Sequence, residues 1–259
     1  EISACLVGSE MCIRDRIPWL NMSRILSADG WLDARMLDGV TGYLRIKTWA
    51  PSDERSSSSI TGPYFERFRS ELDSAMAALI NAEDLVLDVR GNGGGSDALC
   101  AWLASYFVPE PMRVYVLRYR QPKSLRSGDG FDNVDRKPAT YSRQPGPVRT
   151  TRLWVLVDSG SFSATDTIIH ILTRNIPEQV TLIGRPSGAG VGGPQTIGTL
   201  RNTRAVLTVS TCKAFSVCGD LLEGAPAEIE HPVQWTRNAI TMGKDPDLET
   251  ALRLIGEKR

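Results

Sequence analysis

The stretch LWVLVDSGSFSATDTIIHILTR, residues 153–174, changes character once, at a turn of small residues around Ser163. Leu153 to Val157 are apolar and too few for a helix, so they predict a strand buried on both faces. Ile168, Ile169, Ile171 and Leu172 then recur at helical spacing, which predicts a helix packing one face back on the sheet. Strand, tight turn and helix form half of a βαβ unit, and the turn lies at the strand's C-terminal end, where open α/β sheets place their chemistry. Ser163 has two readings there. It is a nucleophile presented by the turn, or, because Ser163-Ala-Thr-Asp166 has the form of a capping box, its hydroxyl satisfies a helix N–H. Ser161 is an alternative cap that would free Ser163.

The same sequence of events occurs upstream. Leu85 to Val89 predicts a buried strand, Gly91, Asn92, Gly93, Gly94 and Gly95 a turn, and Leu99, Trp102, Leu103 and Phe107 a helix. VTGYLRIKTW at 40–49 reads as a strand. Residues 63–81 form an amphipathic helix through Phe65, Phe68, Leu72, Met76 and Leu79, with Pro63 in its first turn. Strands are expected at 113–119, 180–183 and 205–210, a glycine-rich loop at 184–198, and a closing helix at 247–255. PSDERSSSS at 51–59 is a polar loop, and residues 120–150 read as a long substrate-side loop. Strands alternate with helices and no repeat of solenoid length recurs, so the fold class is layered α/β.

With 259 residues, 41% of them apolar, the chain has enough material for a substantial core. Thirty basic residues balance thirty acidic ones, so no net field favours nucleic acid or an anionic membrane. No apolar run reaches the length of a membrane span, and membrane insertion is not expected. The spacing of cysteines and histidines matches no zinc motif, and no metal or other cofactor is expected. Cys100 lies on an apolar helical face; whether Cys212 and Cys218 pair is left open.

Residues 1–16 stand apart. CLVGSEMCIRDR resembles a translated sequencing adapter, and residues 1–16, with Cys5 and Cys12, are set aside from fold reasoning. The alternative is a genuine, disordered N-terminus; on the adapter reading the natural chain is expected to begin further upstream. Residues 17–37 then read as the tail of a truncated upstream region, and 38–259 as the α/β core.

The glycine run invites an anion-binding reading, since N–H groups at a helix start hold phosphate. It lacks the Gly-Lys-Ser/Thr ending of a P-loop and the acid that follows a dinucleotide fingerprint. An oxyanion hole and simple close packing of helix on sheet both remain. His170 follows Ser163 by seven residues on one helix, about 10 Å along the axis, beyond hydrogen-bond reach. His231, beside Pro232, has no derived placement.

Taken together, GYLRI at 42–46, LVLDVRGNGGGS at 85–96, LWVLVDSGSFSAT at 153–165, LIGRPSGAG at 182–190 and LLEGAPAEIEHPV at 221–233 resemble the serine peptidases of the C-terminal processing, or tail-specific, and tricorn type. The resemblance runs over about residues 40–256 in order and spacing. It implies a ClpP/crotonase-like layered fold with a mostly parallel central sheet, often preceded by a PDZ domain, of which 17–37 would be the end. It also implies a periplasmic or extracellular protein acting on polypeptide substrates; the oligomeric state is not implied.

By that resemblance Ser163 is the nucleophile, the N–H of Ala164 one oxyanion donor, and Gly94 lies near the other. The processing branch uses a lysine base, but its neighbourhood here reads Gly188, Ala189, Gly190, Val191, although Gln195 falls where that branch keeps a glutamine. The tricorn-like branch uses an upstream histidine and a late glutamate, for which Glu223 is similar in position. The resemblance therefore implies serine-type endopeptidase chemistry with its general base upstream of this stretch, and a poorly active or inactive fragment. Lys47 and Lys213 are alternative bases. A non-catalytic binding module for peptide ends or apolar ligands, on the same fold, is the competing expectation.

Overall fold

A computed structural model describes residues 24–26, 30–50, 62–109, 112–113, 115–119, 140–141, 148–210, 212–216 and 218–259. The expectations for residues 1–16, Cys5, Cys12, the loop 51–59 and most of 120–150 lie outside the described residues.

In chain order the strands are β1 (Arg24–Leu26), β2 (Leu32–Met36), β3 (Thr41–Ile46), β4 (Asp84–Asp88), β5 (Met112–Arg113), β6 (Val116–Tyr119), β7 (Thr140–Tyr141), β8 (Arg152–Val157), β9 (Val180–Gly184), β10 (Pro194–Thr199), β11 (Val206–Ser210), β12 (Cys212–Phe215) and β13 (His231–Pro232). The helices are α1 (Pro63–Ala78), α2 (Asp97–Ala104), α3 (Ala164–Asn175), α4 (Arg237–Thr241) and α5 (Pro246–Glu257). A seven-stranded sheet runs β1-β2-β3-β4-β8-β9-β13. The β1–β2 and β2–β3 pairs are antiparallel, and β3, β4, β8, β9 and β13 are parallel. This is the layered, mostly parallel sheet expected from the sequence. β1 and β2, within the region set apart from the core by sequence, belong to this sheet.

The strands are buried because both sheet faces are covered. Leu85, Leu87, Leu153, Val155 and Leu182 point into one core with Phe68, Leu72 and Met76 of α1, Leu99 and Leu103 of α2, and Ile168, Ile169 and Leu172 of α3. Val86, Trp154, Leu156 and Ile183 point the other way, onto Leu248, Ala251 and Ile255 of α5. The period-two alternation along β4 and β8 thus separates two layers of helices.

Two strand expectations change. The loop expected at 184–198 contains β10, which pairs antiparallel with β11. Residues 113–119 split into β5 and β6, the latter paired with β12. Cys100 is buried in the core, as expected, and Cys212 and Cys218 are free, the former buried and the latter exposed.

One buried charge cluster ties α5 to the C-terminal end of β4. Arg90 is 3% exposed and contacts Asp88 at 2.9 Å, Asp245 at 2.7 Å and Asp247 at 2.7 Å. Burial alone would lower its pKa, but the charges of Asp88 and Asp245 raise it well above the ordinary value. Asp245 also caps α5, accepting the Leu248 N–H at 3.2 Å. Arg90→Leu removes the shared cation of three buried carboxylates, of which Asp247 keeps Arg185 at 3.2 Å and Asp88 the Tyr43 hydroxyl at 2.7 Å, so it should cost about 3–5 kcal/mol, read by urea unfolding. Arg253→Ala, which breaks an exposed pair with Glu257, should cost about 0.5 kcal/mol or less.

Candidate active site

Three segments meet at the C-terminal edge of the parallel strands: the turn after β4, the turn between β8 and α3, and the loop after β9. The first two are stitched together through backbone groups. The carbonyl of Asn92 accepts the Phe162 N–H at 3.0 Å and the Thr165 hydroxyl at 2.8 Å. Asp158 Oδ1 accepts the N–H groups of Gly91 at 2.9 Å and Gly160 at 3.0 Å. Ser161 donates its hydroxyl to the Val89 carbonyl at 3.0 Å. Ser161 therefore fastens the turn to β4 instead of capping α3.

Ser163 is the N-cap residue of α3 and half-buried, with φ 60° and ψ −118°. Positive φ is uncommon outside glycine and marks a residue held by its surroundings. An ordinary N-cap has extended dihedrals and a side chain that accepts a helix N–H. Ser163 has neither, and its side chain makes no cap hydrogen bond. Of the capping box expected from Ser163-Ala-Thr-Asp166, only the return half is present: the backbone N–H of Ser163 acts on the Asp166 carboxylate.

That carboxylate is 1% exposed, and burial raises its pKa. It is hydrogen-bonded by the Ser187 hydroxyl and by the Gly190 N–H at 3.1 Å, which draws the loop after β9 over the turn. The loop closes against the Phe162 ring, since a Cβ at Gly190 would fall 2.0 Å from Phe162 Cζ.

Gly94 meets the Ser163 turn directly. With φ 100°, it approaches so closely that an added Cβ would lie 2.6 Å from Ser163 Cβ and 3.0 Å from the Ala164 nitrogen. Its own N–H donates to Asn92 Oδ1 at 3.0 Å. Ala164 begins the helix, so its N–H has no intrahelical acceptor, and none takes it among the described residues. The glycine run also serves close packing, because Gly95 lies against the Trp49 backbone.

Glu223 reaches this region from the other side. Its carboxylate accepts the Val191 N–H at 2.9 Å, while the Gly224 N–H donates to the Ala189 carbonyl at 2.7 Å. Glu223 thus holds the loop that closes against Phe162. Lys47 Nζ lies beside Gly30, and Lys213 sits in β12 opposite Arg118. His231 pairs with Ile183 in the sheet. His170 is 8% exposed on α3, and burial first, then Arg174, depress its pKa to about 4. Asn92, Asp158, Asp166 and Ser187 were not singled out as parts of this site by sequence. Asn92, Asp158 and Ser187 lie within the stretches that carry the resemblance, and Asp166 left a signal as the acid of the capping box.

The sequence profile of peptidase family S41 matches residues 40–228. No curated protein sequence matches the chain. A candidate peptidase of Parabacteroides merdae ATCC 43184 has a similar solved structure, with TM-score 0.72 and 24% identity over 95% of this chain and 70% of that one. Mature CPAF gives TM-score 0.58 at 16% identity, over 90% of this chain and 52% of that one. The tricorn protease gives TM-score 0.52 at 19% identity, over 85% of this chain and 18% of that one. The chain thus spans about half of mature CPAF and a smaller part of tricorn.

Two outcomes follow from this geometry. Gly94→Ala puts a methyl group against the Phe162–Ala164 backbone at a positive φ, and should destabilise the fold by about 1–3 kcal/mol in denaturant titration. His170 is neutral in both states above its ordinary pKa of 6.5, whereas between 6.5 and about 4 only the unfolded chain takes the proton. Stability should therefore fall by up to about 3 kcal/mol as pH drops through that window, and His170→Gln should flatten this slope.

Proposed function

The chain belongs to peptidase family S41, and on that premise we propose that it cleaves polypeptides by nucleophilic attack of Ser163. The observation that carries this reading is the conformation of Ser163: a strained N-cap whose hydroxyl does no capping, at the mouth of the parallel sheet. A general base removes the hydroxyl proton, and Oγ attacks the scissile carbonyl carbon. The carbonyl oxygen becomes an oxyanion, and the Ala164 N–H, aided by the N-terminus of α3, donates to it. Gly94 supplies the second donor. Its N–H rests on a neutral amide oxygen of Asn92, and a full negative charge is the stronger acceptor, so the developing oxyanion competes for it.

Collapse of the tetrahedral intermediate expels the amine, which takes the proton from the base and leaves an ester on Ser163. Water, deprotonated by the same base, then releases the acid and restores the serine. The base comes from outside the described residues, in the manner of an upstream histidine, with Glu223 as the acid of the site. His170 is excluded from that role by its distance along α3, about 10 Å from Ser163.

A fluorophosphonate probe applied to the protein together with its upstream sequence should label wild type and not Ser163→Ala. Equal labelling of both would overturn the assignment. No labelling of either would favour a peptide-binding module that keeps the fold without the chemistry.

A further inference from the structure

The N–H groups of Gly94 and Ala164 belong to two different turns, one after β4 and one after β8. Two donors serve one oxyanion only while their spacing holds to within about 0.5 Å, so one turn has to be fixed against the other. Trp49 touches both. It lies just beyond β3, is fully buried and forms an isolated parallel bridge with Gly95. Its backbone N–H donates to the Gly94 carbonyl at 3.0 Å, and its carbonyl accepts the Ser96 N–H at 2.8 Å. Its indole Nε1–H reaches the other turn and donates to the Thr165 hydroxyl at 3.1 Å. Thr165 follows Ala164, is also fully buried, and donates that hydroxyl to the Asn92 carbonyl at 2.8 Å.

Packing alone does not require this arrangement. A phenyl ring would fill much of the same volume beside Phe68, whose ring centroid lies 6.1 Å away, but it carries no donor for Thr165. The backbone bond to Gly94 also acts where the chain is least held by its own sterics, at a glycine with φ 100°. Asn92 Oδ1 holds the N–H of that residue, and Trp49 holds its carbonyl. When an oxyanion takes the N–H from Asn92, the bond from Trp49 still fixes the carbonyl side.

We propose that Trp49 is a positioning residue for the reaction of Ser163. Its backbone sets Gly94, its indole sets the Ala164 end of α3 through the Thr165 hydroxyl, and the two oxyanion donors thereby keep one spacing. This role rests on the assignment of Ser163 as the nucleophile.

The test follows fluorophosphonate labelling in time, on the protein together with its upstream sequence, because the phosphonyl oxygen takes the place of the oxyanion. Circular dichroism reads the folded fraction, and a variant that merely unfolds loses rate only in proportion to that fraction. A displaced donor slows labelling in protein that is fully folded. Thr165→Val, which keeps the shape and removes the hydroxyl, and Trp49→Phe, which removes the indole donor, should each lower the limiting rate about ten-fold at unchanged probe affinity. The pH midpoint of labelling should stay where it is, since neither change touches the base. Thr165→Ser, which keeps the hydroxyl, should recover most of the rate. The double variant should be no slower than Thr165→Val, whose missing hydroxyl already leaves the indole without its acceptor. With wild type labelled at Ser163, any one of four results overturns the proposal: a wild-type rate in either folded variant, a Thr165→Ser form as slow as Thr165→Val, losses that add in the double variant, or a shifted pH midpoint. Wild type that does not label, or labels no better than Ser163→Ala, overturns the nucleophile itself and this role with it.

Discussion

A methyl group at Gly94 would sit 2.6 Å from the Cβ of Ser163, closer than packed carbon atoms come. This approach of two turns requires their strands to be neighbours in register, and β4 and β8 are, with Leu87 opposite Val155 and Asp88 opposite Leu156. It also requires a residue without a side chain at a positive φ, which Gly94 supplies. Both turns leave the sheet, so their backbone groups need partners from each other. Asn92 and Asp158 provide them, each from one turn to the other. Arg90 then holds the strand end that launches the first turn by pinning it to the start of α5. The site is therefore a property of the sheet edge as a whole, built from adjacency before any single catalytic residue is considered.

What could be read in the sequence follows from which interactions are local. The strands at 84–88 and 152–157 are legible because burial on both faces leaves an apolar run. The helices α1, α3 and α5 are legible because one buried face leaves a helical period. β2 hides its place in the sheet, since Asp33 and Arg35 interrupt the apolar pattern. Their burial is tolerated because they pair at 2.7 Å and Arg35 lies 4.4 Å above the Tyr43 ring. β10 hides in a glycine-rich stretch with no apolar run to announce it. Around Ser163 the short-range motif was visible, and so was the glycine turn. The links from Gly91 to Asp158 and from Arg90 to Asp247 cross 67 and 157 residues, and pairing at such separations writes no period into the chain.

The same locality explains why Ser163 had two readings. Serine followed three residues later by an acid is the signature of a helix start, and the helix does start there. The two halves of that box are separable. The return half needs only the Asp166 carboxylate and the backbone of Ser163, and it survives the left-handed turn. The forward half needs the serine side chain aimed along the helix, which φ 60° and ψ −118° do not provide. Asp166 thus serves the helix start beside the Thr165–Asn92 bond and also holds Ser187 and Gly190, so the loop over the turn depends on the same carboxylate. A helix that no longer needs its N-cap hydroxyl leaves that hydroxyl, and the first N–H beside it, for another partner. The strain at Ser163, of order 1–3 kcal/mol, is sustained by these surrounding bonds and relaxes only if the turn loosens. Replacement of the Asp166 carboxylate would therefore act on the serine's geometry without touching the serine, which distinguishes a positioning group from a reacting one.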